Sequence, residues 1–156
     1  MKTKVVAVDV YGTLIDAAQF EKERKIRRGF EKFFDKCNNN NIPIVTASDS
    51  DLEDVISDLE SALKKSEFFN ELFPEALKKS TLAYEVFDNF YRLVGAPKNF
   101  AYIISDYLIK PEELFVIGDT FEKDIIGAHD LGCSTLLVPE YCWKNSHFNF
   151  ADLELP

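Results

Sequence analysis

The amino-acid sequence predicts an α/β protein built on a doubly wound parallel sheet of about five strands. Several short runs are almost continuously apolar, which is typical of parallel strands covered on both faces. The stretches between them carry apolar residues at spacings of three and four, as amphipathic helices do. Strands and helices alternate along the chain, which favours βαβ units with right-handed crossovers. The length of 156 residues suits one domain, predicted over residues 1–156.

The predicted strands come from runs rich in β-branched and aromatic residues. Four such runs cover residues 4–10, 42–46, 114–117 and 134–138, and a weaker fifth run covers residues 90–94. In a parallel sheet of this kind, ligands bind at the carboxyl ends of the strands. The residues that follow each run are therefore the candidates for chemistry.

The helices are predicted over residues 21–36, 51–65, 68–87, 98–108 and 121–131. Pro97 suits the first turn of the fourth helix, and Gly132 suits the cap that ends the fifth. Four consecutive asparagines from Asn38 predict a helix end and a turn, since asparagine tolerates the left-handed conformation. With helices on both faces, the sheet is expected to be Rossmann-like.

The composition excludes several classes of function. The chain has 27 acidic and 18 basic residues and a formal net charge of −9, so we expect no nucleic-acid partner and no binding to an anionic membrane. No apolar run approaches the roughly 20 residues that cross a bilayer. Cys37, Cys133 and Cys142 form no metal-binding or disulfide pattern, and they predict reduced thiols in a cytoplasmic protein.

Acidic and hydroxyl side chains stand at the predicted strand ends. Asp9 ends the first strand, Thr46 ends the second, and Asp119 follows the fourth, with Asp124 five residues further on. Carboxylates gathered at one edge of a sheet repel one another unless a cation lies between them. A few oxygen ligands with room for water suit Mg²⁺ better than zinc. The sequence therefore predicts a Mg²⁺ site at this edge.

Three segments resemble the haloacid dehalogenase-like (HAD) hydrolase superfamily. They are VVAVDVYGTLID from Val5, IPIVTAS from Ile42 and ELFVIGDTFEKDIIGAHDLG from Glu113. The first and the last are specific in combination, because each stands in the order and at the end of the chain where the superfamily has it. The resemblance extends from residue 4 to about residue 139, and it implies a HAD core as the fold.

The resemblance implies roles for the acidic motif residues. Asp9 is the expected nucleophile, which forms a covalent aspartyl intermediate. Mg²⁺ is expected on the carboxylates of Asp9 and Asp119 and on the backbone carbonyl of Tyr11. Asp124 is expected either to bind the metal through water or to orient a lysine.

The resemblance also implies residues that hold the phosphoryl group. Thr46 and the backbone N–H of Ala47 would bind one of its oxygens, and a lysine would offset its charge. The superfamily usually has a Lys-Pro pair before the fourth strand, whereas this chain has the order Pro-Lys at Lys98. A side chain as long as that of Lys98 can still reach the site. The alternatives are Lys78, Lys79 or no lysine at all.

Tyr11 stands where HAD phosphatases usually have a second aspartate, which protonates the leaving oxygen and then deprotonates the attacking water. Tyrosine has a reference pKa near 10 and is a poor base, and loss of such help costs about 10²- to 10⁴-fold in rate. Tyrosine at this position is typical of haloacid dehalogenases, whereas the Gly118-Asp119 pair and Asp124 are typical of metal-dependent phosphatases.

The spacing of the motifs predicts no cap domain. Too few residues separate Asp9 from Thr46, or Val94 from Lys98, for a mobile cap at either place. Capless members of the superfamily act on large substrates, or on small ones when a neighbouring subunit closes the site. The expected partner is therefore a phosphorylated small molecule or an exposed phosphorylated group on a larger substrate, and a homo-oligomer stays open.

The leading hypothesis is a Mg²⁺-dependent HAD phosphatase that acts through an aspartyl phosphate on Asp9. A haloacid dehalogenase is the first alternative, and Tyr11 alone favours it. A non-catalytic HAD-fold binding protein is the second alternative, since one fold hosts many functions.

Overall fold

The computed structural model describes residues 2–17, 24–141 and 147–156. Five parallel strands form one sheet in the order β3-β2-β1-β4-β5. They are β1 (Val5–Val8), β2 (Ile44–Ser48), β3 (Asn89–Arg92), β4 (Leu114–Gly118) and β5 (Ser134–Leu137). The predicted parallel α/β sheet is confirmed, with β1 at its centre.

The α-helices of the described chain cover both faces of this sheet. They are α1 (Phe30–Asn39), α2 (Leu52–Leu63), α3 (Glu67–Leu72), α4 (Pro74–Lys79), α5 (Leu82–Val86), α6 (Ala101–Tyr107) and α7 (Ile126–Leu131). Val6 and Val8 pack on the side of α1 to α5, whereas Val5 and Ala7 pack on the side of α6 and α7. This two-sided burial explains why the strands read as continuous apolar runs.

An aromatic cluster fills the core between the sheet and α1. The ring centroid of Phe30 lies 5.8 Å from that of Phe87 and 5.5 Å from that of Phe150. Phe69, from α3, lies 6.2 Å from the same ring. All four side chains are buried, and such aromatic contacts add to the stabilisation that burial itself supplies. The cluster ties the last residues of the described chain to α1.

Helix α1 begins later than the predicted stretch 21–36. Gly29 has a φ of 83°, and a Cβ there would lie 1.9 Å from the Oδ1 of Asn149. Glycine alone fits this position, so the chain turns before it enters the helix. Residues 24–28 form no regular element, and residues 21–23 lie outside the described residues.

The predicted helix over residues 68–87 is divided into α3, α4 and α5. Phe73, with a φ of −127° and a ψ of 65°, separates the first two, and Pro74 begins α4. Ser80, with a φ of 56°, ends α4 in the left-handed conformation. The apolar spacing is helical throughout, but proline cannot continue a helix and starts a new one instead.

Several smaller expectations hold. Asn41 adopts a φ of 55° in the turn after α1, and Gly132 ends α7 with a φ of 94°. Cys37 and Cys133 are buried free thiols, and Cys142 lies outside the described residues.

Two further features of the described chain concern the segment between β1 and β2 and the search for membrane-spanning helices. Between β1 and β2 it has one helix, α1, and no further domain. None of its helices combines the length and the apolar character needed to cross a bilayer.

Candidate active site

A cleft of about 740 Å³ opens at the carboxyl ends of the strands. Asp9 follows β1, Asp119 follows β4, and both line the cleft together with Asp124 and Lys98. Parallel strands bring their carboxyl ends to one edge, which is why residues far apart in sequence meet here. The structure therefore brings together the predicted nucleophile, the predicted lysine and the predicted metal carboxylates.

The ammonium group of Lys98 joins the carboxylates across the bottom of this cleft. Its Nζ donates to the Oδ1 of Asp9 at 2.9 Å and to the Oδ1 of Asp124 at 2.5 Å. It also donates to the backbone carbonyl of Ala47 at 2.9 Å. All three ammonium hydrogens thus have partners. We call Asp9, Lys98 and Asp124 the inner group, because their side chains are 12%, 2% and 2% exposed.

Two close contacts position the backbone of Lys98, whose side chain reaches Asp9. The backbone N–H of Lys98 donates to the carbonyl of Lys123 at 2.9 Å. Helix α7 passes close by, since a Cβ at Gly127 would lie 2.8 Å from the carbonyl oxygen of Lys98. The alternatives Lys78 and Lys79 lie on α4, and the side chain of Lys78 is exposed and paired with Glu75.

Thr13 and Gly12 bring Asp119 next to Asp9. The Oγ1 of Thr13 donates to the Oδ1 of Asp119 at 3.0 Å and lies 3.3 Å from the Oδ2 of Asp9. A Cβ at Gly12, where φ is 84°, would lie 2.5 Å from the Oδ2 of Asp119. Glycine is required at this point, because the backbone of the first motif approaches the carboxylate of the last.

A turn of π-helix sets the spacing between Asp119 and Asp124. It covers Phe121–Ile125, immediately before α7, and π-helical turns occur often at functional sites. The Oδ2 of Asp124 accepts from the backbone N–H of Thr120 at 3.1 Å. A Cβ at Gly118 would lie 2.4 Å from the Cγ of Asp124. Because Gly118 has no Cβ, the carboxylate of Asp124 can lie against the end of β4.

The electrostatics of the inner group show a shortage of positive charge. Burial raises the pKa of Asp9 to about 6, against the attraction of Lys98 and with the help of Asp119. Burial also raises the pKa of Asp124, and the charge of Asp9 adds to the rise. Burial by itself lowers the pKa of Lys98, but the two carboxylates outweigh it, so that the pKa is raised. One ammonium group does not satisfy three neighbouring carboxylates.

The donor set fits a divalent cation. Asp9, Asp119 and Asp124 each offer a carboxylate oxygen, and these atoms all lie within 4.8 Å of one another. Hard oxygen donors of this kind suit Mg²⁺. Since both oxygens of Asp124 already accept hydrogen bonds, the geometry favours this residue as the one that orients Lys98.

Tyr11 takes part in a second group of charged side chains, nearer the mouth of the cleft. Its hydroxyl donates to the Oδ2 of Asp58 at 2.5 Å, and Arg24 pairs with the same oxygen at 3.0 Å. The guanidinium of Arg24 also lies 4.9 Å from the centre of the Tyr11 ring. Burial and the charge of Asp58 raise the pKa of Tyr11 above its ordinary value. We call Tyr11, Arg24 and Asp58 the outer group.

A scan against family models matches residues 94–140 to the HAD-hydrolase-like family. This segment contains Lys98, Asp119 and Asp124, and the sheet order and the cleft agree with the HAD core. The match covers 47 of the 156 residues, and it shows that this segment is similar to the HAD-hydrolase-like family. A search of curated proteins found no match.

Three solved structures resemble this chain, and at their identities they show the fold alone. An uncharacterized protein from Listeria monocytogenes serotype 4b is 18% identical, with 97% of this chain and 84% of that chain covered and a TM-score of 0.59. A predicted phosphoglycolate phosphatase from Haemophilus somnus 129PT is 10% identical, with 97% and 96% covered and a TM-score of 0.67. A HAD-superfamily hydrolase from Ehrlichia chaffeensis is 16% identical, with 88% of each chain covered and a TM-score of 0.58.

The structure corrects the prediction for the second motif. Strand β2 ends at Ser48, so the prediction that Thr46 ends it is wrong. Thr46 pairs with Val8, is fully buried, and has no hydrogen-bond partner for its Oγ1 within the described residues. Ser48 lines the cleft with Asp9 instead. Ala47 presents its carbonyl to the site, where it accepts from Lys98, and phosphoryl binding by its N–H stays a prediction.

Four residues of the candidate site are not predicted by the sequence. Thr13 is part of the first motif but had no assigned role. Ser48 was hidden because alanine and serine are weak strand formers, although pairing with β3 extends β2 to this residue. Asp58 lies one turn after Asp54 on the polar side of α2, a spacing that could have been noticed. Arg24 lies in an irregular segment and carries no sequence signal.

Proposed function

We propose that this chain is a HAD-type, Mg²⁺-dependent phosphatase that acts on phosphomonoesters through an aspartyl phosphate on Asp9. The observation that carries the proposal is the position of Asp9, whose Oδ1 is held by Lys98 while Asp119 lies beside its other oxygen through Thr13. A carboxylate oriented in this way has the placement of a nucleophile. Its substrate would be a phosphorylated small molecule or an exposed phosphorylated group on a larger partner, in the cytoplasm.

The residues of the chain would divide the reaction between them. The Asp9 carboxylate attacks phosphorus, the bond to the leaving oxygen breaks, and water then hydrolyses the aspartyl phosphate to free phosphate and Asp9. Lys98 holds Asp9 in line and offsets negative charge on the transferring group. Asp124 fixes the ammonium of Lys98. Mg²⁺, held by Asp9 and Asp119, would neutralise charge on the phosphoryl oxygens.

Tyr11 limits the proton transfers of this reaction. Its hydroxyl donates to Asp58, and its raised pKa keeps it protonated at neutral pH. A protonated phenol cannot accept the proton of the attacking water. We therefore expect low turnover on alkyl phosphates and faster turnover on substrates with a good leaving group, such as aryl or acyl phosphates.

A haloacid dehalogenase is the second candidate, and Tyr11 favours it because halide needs no proton on departure. The same attack by Asp9 would then occur at carbon. Release of halide from a 2-haloacid without Mg²⁺ would support this candidate. A non-catalytic member would bind Mg²⁺ and turn over neither class of substrate.

The test is hydrolysis of an aryl phosphate by the native chain after removal of divalent metal, with and without added Mg²⁺. We expect activity that depends on Mg²⁺ and disappears in Asp9→Asn. Tyr11→Asp should raise the rate on an alkyl phosphate by up to about 100-fold, since it restores an acid and base. Tyr11→Phe, which keeps the ring and removes only the hydroxyl, is the matched control and should not raise it. Full activity in Asp9→Asn would refute the proposal.

A further inference from the structure

Beyond Asp9, the cleft is walled by acidic side chains. Asp54 and Asp58 come from α2, Asp49 from the loop after β2, and Glu140 from the segment after β5. Among the lining residues that the structure describes, seven carboxylates face three cations, a formal excess of four negative charges. A divalent cation at Asp9 and Asp119 would remove only half of that excess.

Each cation of the cleft is already engaged by a carboxylate. Lys98 contacts Asp9 and Asp124, as described above. Lys123 lies 2.9 Å from the Oδ2 of Asp49, and Arg24 lies 3.0 Å from the Oδ2 of Asp58. Among the described lining residues, no cation remains to receive a carboxylate on a substrate.

Two of the four wall acids have no such compensation. Asp54 and Glu140 line the cleft without a cation partner in the part of the chain that the structure describes. A negative group placed beside them meets uncompensated repulsion, whereas a positive group is attracted. A cleft lined by one sign of charge raises the local concentration of the opposite charge.

We propose that this cleft selects phosphomonoesters whose leaving group carries a positive charge, such as a primary amine, over those that carry a carboxylate. The inference rests on the proposed function, which puts the phosphoryl group at Asp9 and so directs the leaving group towards these walls. Asp54 is the specificity residue that the structure identifies most directly, because no cationic side chain among residues 2–17, 24–141 and 147–156 pairs with it.

The first experiment compares three ligands of similar size that this chemistry does not cleave. They are 2-aminoethylphosphonate, ethylphosphonate and phosphonoacetate, with a positive, a neutral and a negative tail. Their affinities for the native chain are measured by calorimetry with Mg²⁺ present. We expect the amine to bind about tenfold more tightly than the carboxylate, and the ratio to shrink in added salt. Equal affinities, tighter binding of the carboxylate, or no binding of any of the three would overturn the inference.

The second experiment assigns the preference to Asp54. Asp54→Asn should lower the affinity ratio about threefold. Glu53→Gln is the matched control, because it makes the same charge change one residue away and lines a separate depression on α2. The control should leave the ratio unchanged. Equal effects of the two variants would overturn the role of Asp54.

Turnover distinguishes this inference from the proposed function. The substrates are 2-aminoethyl phosphate, ethyl phosphate and 2-phosphoglycolate. Hydrolysis of all three, fastest for the amine in kcat/KM, supports both conclusions. The other informative outcome is that none of the three is hydrolysed, while the phosphonates keep their order of affinity and Asp54→Asn lowers the affinity ratio. In that case the charge selection stands and the phosphatase proposal fails.

Discussion

The inner and outer groups line the same cleft, yet they differ in how far water reaches them. In each group the nitrogen of a cationic side chain lies 2.5–3.0 Å from a carboxylate oxygen. The side chain of Lys98 is 2% exposed, whereas those of Arg24 and Asp58 are 18% and 35% exposed. A buried charge is costly unless its partners are complete, but a half-exposed pair contributes little to stability.

The comparison shows that one cleft contains a buried group with fixed geometry and a second group that water reaches. The inner group is fixed by three hydrogen bonds to one ammonium, so its geometry is determined by the fold. We expect changes in the outer group to have little effect on folding, because water already reaches its charges. The following variants test this contrast.

Lys98→Met should have the largest effect. It leaves buried carboxylates of Asp9 and Asp124 without their cation, and loss of one partner of a buried pair costs about 3–5 kcal/mol. Urea denaturation at neutral pH measures the loss of unfolding free energy. Lys78→Met, which removes an exposed lysine of α4, should change stability by less than about 0.5 kcal/mol. A similar small change for Lys98→Met would contradict the importance of the inner group.

Gly118→Ala should perturb the inner group without changing any charge. Its Cβ would lie 2.4 Å from the Cγ of Asp124, so either the strand end or the carboxylate must move. We expect a loss of about 1–3 kcal/mol, as for other overpacked sites, and weaker Mg²⁺ binding.

Gly132→Ala is the control for that variant. It strains a residue with a φ of 94° but meets nothing closer than 3.6 Å, far from the carboxylates. Thermal unfolding with and without Mg²⁺ separates the two, because only Gly118→Ala should reduce the stabilisation by the metal. Equal stabilisation of both variants by Mg²⁺ would contradict this coupling between the end of β4 and the metal site.

The outer group should show the smallest effect. A double-mutant cycle with Arg24→Met and Asp58→Asn should give a coupling free energy of about 0.2–1 kcal/mol in urea unfolding, the range of exposed ion pairs. A coupling of about 3 kcal/mol would mean that the outer group is as structural as the inner one, and would remove the contrast.

Much of the fold follows from the sequence, because continuous apolar strands and amphipathic helices are both direct consequences of two-sided burial. The positions of Asp9, Asp119 and Asp124 at one edge follow from the same pattern. The role of Lys98 was harder to predict, because the order of lysine and proline is the reverse of the usual Lys-Pro pair. The expectation that Lys98 reaches the site depended on the length of its side chain.

Other features depend on tertiary contacts that the sequence does not display. Ser48 belongs to β2 because β3 pairs with it, and its own residue type gives no sign of this. The irregular segment before α1 is determined by the close approach of Gly29 and Asn149. Arg24 meets Asp58 only because that segment and α2 face each other across the cleft.

The contact between Gly12 and Asp119 limits how this site can change over generations. Any side chain at position 12 would occupy the space of that carboxylate, 2.5 Å from its Oδ2. A side chain at position 12 would need a smaller residue at position 119, and the φ of 84° would still strain it. This one contact makes two positions more than a hundred residues apart in the chain depend on each other, and we expect selection to act on them jointly.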